Sequence, residues 1–325
     1  MRKLFFLKSL SFFTLFIVIV LGVITNPVFF SAQNKSDVMI FVDQERLKAD
    51  VKFLTEISPA RNNYNVQSLN KAADYIKNEF QKIGLKTEEQ KYFTDGKEYK
   101  NIIAMIGDKD AERIVLGAHY DVCDEQPGAD DNASGVAGLL ELARLIKSQN
   151  IKTTYRIDFV AFSLEELPHF REATMGSAVH AKSLHDAKVK VKGMICLEMI
   201  GYFSDEPKSQ SYPVSIMKLF YPTKANFIAV VGTFWQGKIV RHVKRFMKSG
   251  SGIQICSIIA PKFIPGIDFS DHLNYWKYGY NAVMITDTAF YRNNNYHKSS
   301  DTMETLDFDK MAEVVKGVYN AVVYF

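Results

Sequence analysis

Four strand-length apolar runs in this chain each lead into residues that bind cations or move protons. "RIVLGAHYD" carries Arg113 into His119 and Asp121, and "RIDFVAFSLEE" ends in Glu165 and Glu166. "VKGMICLE" ends in Glu198, and "AVMITDTAF" opens onto the polar loop "YRNNNYHKSSDT", which holds Tyr296 and His297. Runs this short and this apolar read as strands buried on both faces. Between them "GVAGLLELARLIKSQ" has helical spacing. So do "DQERLKADVKFLTEIS", "SLNKAADYIKNEFQKIGL" with Gly84 placed as its terminal glycine, and the last segment, "FDKMAEVVKGVYNAVVYF". "NIIAMIG" is a further strand. Strands alternating with helices predict an α/β fold, a three-layer αβα sandwich on a mixed, mostly parallel central sheet. In open sheets of this kind ligands bind beyond the carboxyl ends of the strands, which is where these polar residues recur. The stretch from Tyr202 to Phe269 is less regular, punctuated by "DEPKSQSYP" and "SGSG", and reads as an elaboration near the site rather than a second domain.

The densest of these polar segments is "GAHYDVCDEQPGADDNASG", Gly117 to Gly135, with one histidine and five acids in immediate succession to a strand. Each piece alone has an ordinary reading. A lone histidine is a hydrogen-bonded core residue, a Glu pair is a solvated face, and "GADDNASG" is a turn capping the next helix through Asp131, Asn132 or Ser134. Together, the strand ends offer His119, Asp131, Glu165, Glu166, Glu198 and His297. Imidazole nitrogen and carboxylate oxygen suit Zn²⁺. Two such ions about 3.5–4 Å apart need a carboxylate between them.

The 325-residue chain has a formal charge of +4. It falls to +1 without Arg2, Lys3 and Lys8 of the leader, and no basic stripe marks a nucleic-acid footprint. The leader, residues 1–32, puts those basic residues before a nearly unbroken apolar run from Ser9 to Thr25. That is the pattern of an export signal or a membrane anchor, so the body is expected outside the cytoplasm, periplasmic, extracellular or membrane-anchored. Cys123, Cys196 and Cys256 give no disulfide framework; one pair is open to form after export, and the sequence does not choose it.

With "HYD", "GADDNASG", "SLEEL", a later "GS" at Gly176–Ser177, "LEMIG", "SDH" and "YHKSSDT" in this order, the chain resembles the dizinc aminopeptidases. These belong to the metallopeptidase family that also includes glutamate carboxypeptidase II and glutaminyl cyclase-like proteins. The resemblance runs from about Arg113 to the end and implies one catalytic domain over residues 33–325 with two Zn²⁺ per chain. It implies that His119 and Glu198 hold the first metal, Glu166 and His297 the second, and that Asp131 bridges them while Asp130 is structural. Asp121 would fix the His119 tautomer, Glu165 would be the general base, and Tyr296 would hydrogen-bond the tetrahedral intermediate. Two departures stand out. Glu198 occupies a position where the family usually has Asp, which puts the first metal's affinity in question. The linker "LPHFREATM" before Gly176 is also long. His169 within it reads as a surface residue, His272 as site wall, and His180, His185 and His242 as surface residues.

The implied reaction is hydrolysis of the N-terminal peptide bond of a peptide or protein. The substrate's free amine would be held at the metals, and specificity set between "YFSDEPKSQSYP" and "PKFIPGIDF". A carboxypeptidase or a glutaminyl cyclase on the same scaffold is the nearest alternative. A non-catalytic binding domain on a membrane anchor is the alternative from a different class.

Overall fold

The computed structural model describes residues 11–14, 40–151 and 153–325. The leader reading therefore falls almost entirely outside the described residues. Among them no helix is long and apolar enough to cross a membrane.

Two helices, α1 (Gln44–Thr55) and α2 (Val66–Lys82), come first. The second closes where sequence placed its terminal glycine. Gly84 has φ +77°, and the Gly84 and Leu85 N–H groups bond back to Gln81 and Phe80; only glycine adopts this conformation without strain. The sheet is built from β1 (Lys86–Thr94), β2 (Lys97–Ile106), β3 (Arg113–His119), β4 (Arg156–Phe162), β5 (Val191–Glu198), β6 (Phe227–Gly232), β7 (Gln254–Ile259) and β8 (Ala282–Thr286). Their order across it is β1-β2-β4-β3-β5-β8-β6-β7. Pairings β3–β4, β3–β5, β5–β8 and β6–β7 are parallel, and β1–β2, β2–β4 and β6–β8 antiparallel. The sheet is thus mixed and mostly parallel, as expected.

Alternation along each strand divides the core between the two faces. Ile114, Leu116, Ile157, Phe159, Ile195, Leu197, Val283 and Ile285 point to one side, where α1, α2, α3 (Gly135–Ser148), α5 (Gly237–Gly250) and α7 (Phe308–Val323) cover them. Val115, Val160, Phe162, Met194, Cys196 and Met284 point to the other, under α4 (Gly176–Asp186) and α6 (His272–Lys277). This is the three-layer arrangement.

The stretch from Tyr202 to Phe269 is more regular than its punctuation suggested. It contributes β6, α5 and β7, all inside the same sheet and its helical layer. "FIAVVG" is an apolar run buried at every position, and polar loops on either side hide it. The edge strand β1 also escaped sequence reading, because exposed charged residues such as Lys86, Glu88 and Lys91 alternate with half-buried ones along it, the usual protection of an exposed edge.

Candidate metal centre

β3, β4, β5 and β8 are mutually parallel, so their carboxyl ends share one rim. His119 is the last residue of β3 and Glu198 the last of β5, while Glu165 and Glu166 follow β4 by three and four residues. Asp131 lies on the loop between β3 and α3, and His297 on the loop after β8, with φ +56°. The structure brings all six together.

His119 Nε2 lies 3.3 Å from Asp131 Oδ1 and 3.4 Å from Glu198 Oε2. His297 Nε2 lies 3.2 Å from Asp131 Oδ2 and 3.4 Å from Glu166 Oε2. Charge-assisted hydrogen bonds sit nearer about 2.7–2.9 Å. Donors about 2.0–2.1 Å from a tetrahedral zinc stand roughly 3.3 Å apart, which is the spacing found four times here. Asp131 is the shared member, one oxygen towards each histidine.

The loop that carries Asp131 is pinned from several sides. Asp301 accepts the Asp130 and Asp131 N–H groups at 3.0 and 3.1 Å. Asn132 donates to the Leu197 carbonyl at 2.9 Å and accepts from the Met199 and Gly135 N–H groups. Asp130 points away from the cluster and accepts from Gly201 N–H and Asn293 Nδ2. Gly128, φ +60°, turns the loop where a Cβ would lie 2.2 Å from Val122 Cγ1 and 2.3 Å from the Asp131 carbonyl.

Asp121 does more than the sequence indicated. His119 Nδ1 is 3.2 Å from its carbonyl and 3.4 Å from Oδ1. Its two carboxylate oxygens accept the backbone N–H groups of Glu165 and Glu166 at 3.1 and 3.0 Å. One residue therefore orients the first histidine, chiefly through its carbonyl, and fixes the glutamate turn through its carboxylate. Glu165 joins His119 and Glu166 within 4.8 Å. Tyr296 stacks on His297, ring centroids 3.8 Å apart.

The centre carries more acid than base. Asp121, Asp131, Glu165, Glu166 and Glu198 are all at least nine-tenths buried, an arrangement that is costly unless positive charge is supplied. Burial pushes the Glu165 carboxyl well above the ordinary range against the pull of His119, with Glu166 and Glu198 adding to the rise. Glu166 is pushed up to about 7, by burial first and then by Asp131. His297 rises to about 10: burial opposes its charge, but hydrogen bonds to Asp131 and Glu166 outweigh it. Burial likewise acts to raise Asp131, yet hydrogen bonds from His119 and His297 hold it below the ordinary range. Glu166 Oε1 is buried with no hydrogen-bond partner. Excess buried acid, zinc-sized spacings and an unpartnered carboxylate oxygen fit divalent cations.

Two residues that sequence reasoning missed belong here. Asp271, of "SDH", is fully buried, and burial pushes it up to about 7 beside His119 and Glu198. Arg61, at the end of the first helical region, is buried behind the loop. It donates to the carbonyls of Leu54, Tyr120, Pro127 and Gly128.

Several histidines need correction. His180 is buried, its Nδ1 2.6 Å from Tyr275 Oη, because it lies on the sheet-facing side of α4. His169 is also buried, with Nδ1 2.9 Å from Thr174 Oγ1 and its ring edge-on to Tyr99. His242 is half-buried between Phe246 and Phe325, and only His185 of this group is exposed. His272 holds the Ile267 carbonyl at 2.8 Å. Cys123, Cys196 and Cys256 are free.

Residues 101–322 match Peptidase family M28. The chain belongs to this family. It is a metallopeptidase of family M28, and leucine aminopeptidases are among its relatives. It is 48% identical over 282 residues to "Uncharacterized protein YfbL" of Escherichia coli K12, covering 84% of this chain and 86% of that one. It is 26% identical over 286 residues to leucine aminopeptidase 1 of Pyrenophora teres f. teres, covering 84% of this chain and 68% of the relative. Among solved structures, the zinc aminopeptidase BSAP of Bacillus subtilis superposes with TM-score 0.67 at 16% identity, covering 88% of this chain and 95% of that one. A Fimbriiglobus ruber glutaminyl cyclase superposes with TM-score 0.65 at 18% identity, covering 91% and 100%. The fold is thus shared by a zinc aminopeptidase and a glutaminyl cyclase.

Glu198 is the carboxylate at the end of β5, and its length fits the geometry. Its Oε2 accepts from Ser270 Oγ at 2.6 Å while lying 3.4 Å from His119. Glu198→Asp would withdraw the carboxylate by roughly one C–C bond, ~1.5 Å, and break both relations. Competition against a chelator is expected to show metal affinity weakened by about tenfold or more, with the melting temperature of the chelated protein little changed. Unaltered metal affinity would remove Glu198 from the donor set.

Proposed function

We propose that this chain is an exported dizinc aminopeptidase that releases the N-terminal residue of peptides. The observation that carries the reading is Asp131. Its two oxygens stand 3.3 and 3.2 Å from the two histidines, which suits a carboxylate shared by two cations. His119, Asp131 and Glu198 would hold one zinc, and Asp131, Glu166 and His297 the other. When bound, the pair supplies Lewis-acid polarisation of the scissile carbonyl and makes a water ionisable near neutral pH. Glu165 accepts the proton of the attacking water on its carboxylate and later returns it to the leaving amine nitrogen. Asp121 keeps Glu165 in place through the backbone N–H it accepts. The Tyr296 hydroxyl donates to the oxygen of the tetrahedral carbon.

Beside the centre lies an open pocket with Glu198 and Tyr296 in its wall. Tyr212, Met217, Phe227, Ile267, Phe269 and Met284 make it predominantly apolar. It suits a large apolar side chain on the residue to be released. Export rests on the basic-then-apolar leader alone.

Elemental analysis of the purified full-length protein is expected to return about two zinc ions per chain, the number a bridged pair requires. Chelation is expected to abolish hydrolysis of aminoacyl-nitroanilides, and added zinc to restore it. Within such a panel leucyl and phenylalanyl substrates should exceed lysyl and glutamyl ones. Full activity in metal-free protein would overturn the proposal. Cyclisation of glutamine-ended peptides with a single zinc, in place of hydrolysis, would favour the cyclase alternative.

A further inference from the structure

Cys123 occupies a place that neither the core nor the proposed hydrolysis requires. It lies on the ligand loop four residues beyond His119, partly exposed and free, whereas Cys196 and Cys256 are enclosed. Its contact within the loop is a 3.8 Å approach to Asp124 Oδ2. Its Sγ, a carboxylate oxygen of Glu166 and a ring nitrogen of His297 all lie within 4.8 Å of one another. A second observation points the same way. Glu166 is 6% exposed, and its Oε1 is buried without a hydrogen-bond partner. Leaving such an atom unmatched costs stability, and a cation beside it removes that cost.

We propose that Cys123 is a thiolate ligand for the second cation position, whose donor set is then Asp131, Glu166, His297 and Cys123. The inference rests on the metal reading above. With sulfur about 2.3 Å and the other donors about 2.0–2.1 Å from zinc, near-tetrahedral angles put the sulfur roughly 3.6 Å from them, and a fifth position would remain for the water. A separation of at most 4.8 Å exceeds that distance by no more than about an ångström, within reach of a rotation about χ1 on a part-exposed loop. On binding, the S–H bond breaks, the sulfur lone pair forms the metal–sulfur bond, and the proton leaves to solvent. The consequence is selectivity. Soft thiolate favours zinc and cadmium, whereas a shell of carboxylate and imidazole alone is more tolerant of manganese.

The test uses full-length protein stripped of metal and reloaded with Co²⁺, as wild type, Cys123→Ser and Cys123→Ala. Wild type is expected to show a near-ultraviolet sulfur-to-cobalt charge-transfer band. Both variants should lose it while keeping the visible ligand-field absorption of bound cobalt. Their preference for Cd²⁺ over Mn²⁺ should fall by at least about tenfold, the lower end of what even an indirect partner of a ligand contributes. Cys196→Ser and Cys256→Ser should keep the band. Cobalt bound with no charge-transfer band in wild type, or a band that survives in both Cys123 variants, overturns the thiolate and leaves the metal centre standing. Failure of every form to bind cobalt overturns the metal centre and this inference with it.

Discussion

Glu165→Gln is expected to lower kcat by about 10²–10⁴-fold, the usual contribution of a positioned general base, with metal content near that of the wild type. Glutamine keeps the shape and one carbonyl oxygen but cannot take up a proton from the attacking water. The neighbouring Glu166→Gln is expected to lose metal as well as rate, because Glu166 Oε2 stands 3.4 Å from His297 Nε2 among the donors of the second position. The two residues are adjacent in sequence, and Asp121 accepts both of their N–H groups. Either substitution therefore leaves the backbone of the turn as it was, and the contrast isolates the side chains. Metal analysis and steady-state kinetics on the same preparations decide the matter. Near wild-type turnover in Glu165→Gln with metal bound, or the opposite pattern between the two variants, would sink the assignment.

The convergence of these side chains was legible in the sequence because a buried strand has a definite end. Once "RIVLGAH" and "VKGMICLE" are strands of one parallel set, His119 and Glu198 must come out on the same rim, and the loops after β4 and β8 deliver Glu165, Glu166 and His297 beside them. That inference needs only the period of the strands and their direction. His180 was misjudged for the converse reason. Its helix is short and mixed in polarity, and what buries it is Tyr275, a residue 95 positions away in the chain. Likewise β6 and β7 gain their strand character from pairing with each other and with β8, partners that no local pattern in a loop-rich stretch discloses. Asp271 was passed over because its significance lies in proximity to His119 and Glu198 and not in any spacing. Arg61 was the least legible. Every group it binds is a backbone carbonyl, and carbonyls leave no mark in a sequence.

Arg61 also carries the largest expected effect on stability. Its guanidinium is fully buried and spreads its donors over Leu54 at the end of α1, Tyr120 after β3, and Pro127 and Gly128 at the turn into the Asp131 segment. It therefore ties both ends of the loop from His119 to Asp131 to the first helix. Burial lowers its pKa to about 10, with Asp301, Asp121, Asp131 and Glu166 opposing the fall. The group therefore stays charged at neutral pH and is the fixed cation behind the acid cluster. Arg61→Met removes that charge and the side-chain hydrogen bonds to four carbonyls, of which Gly128 keeps the Ala133 N–H. Breaking a buried ionic arrangement by deleting one side costs about 3–5 kcal/mol, which for a chain of this size lowers the melting temperature by roughly 10 °C. Arg61→Lys keeps the charge but not the planar fork, so it cannot reach carbonyls on separate segments at once and should fall between. Replacement of the exposed Arg245 by Met should stay within about 0.5 kcal/mol. Because the loop carries the shared carboxylate, zinc affinity should fall alongside stability in Arg61→Met, although Arg61 touches no metal donor. Thermal unfolding at one scan rate, with and without chelator, separates the two effects. A variant that melts with the wild type in both conditions would show that β3 and α3 hold the loop without the arginine.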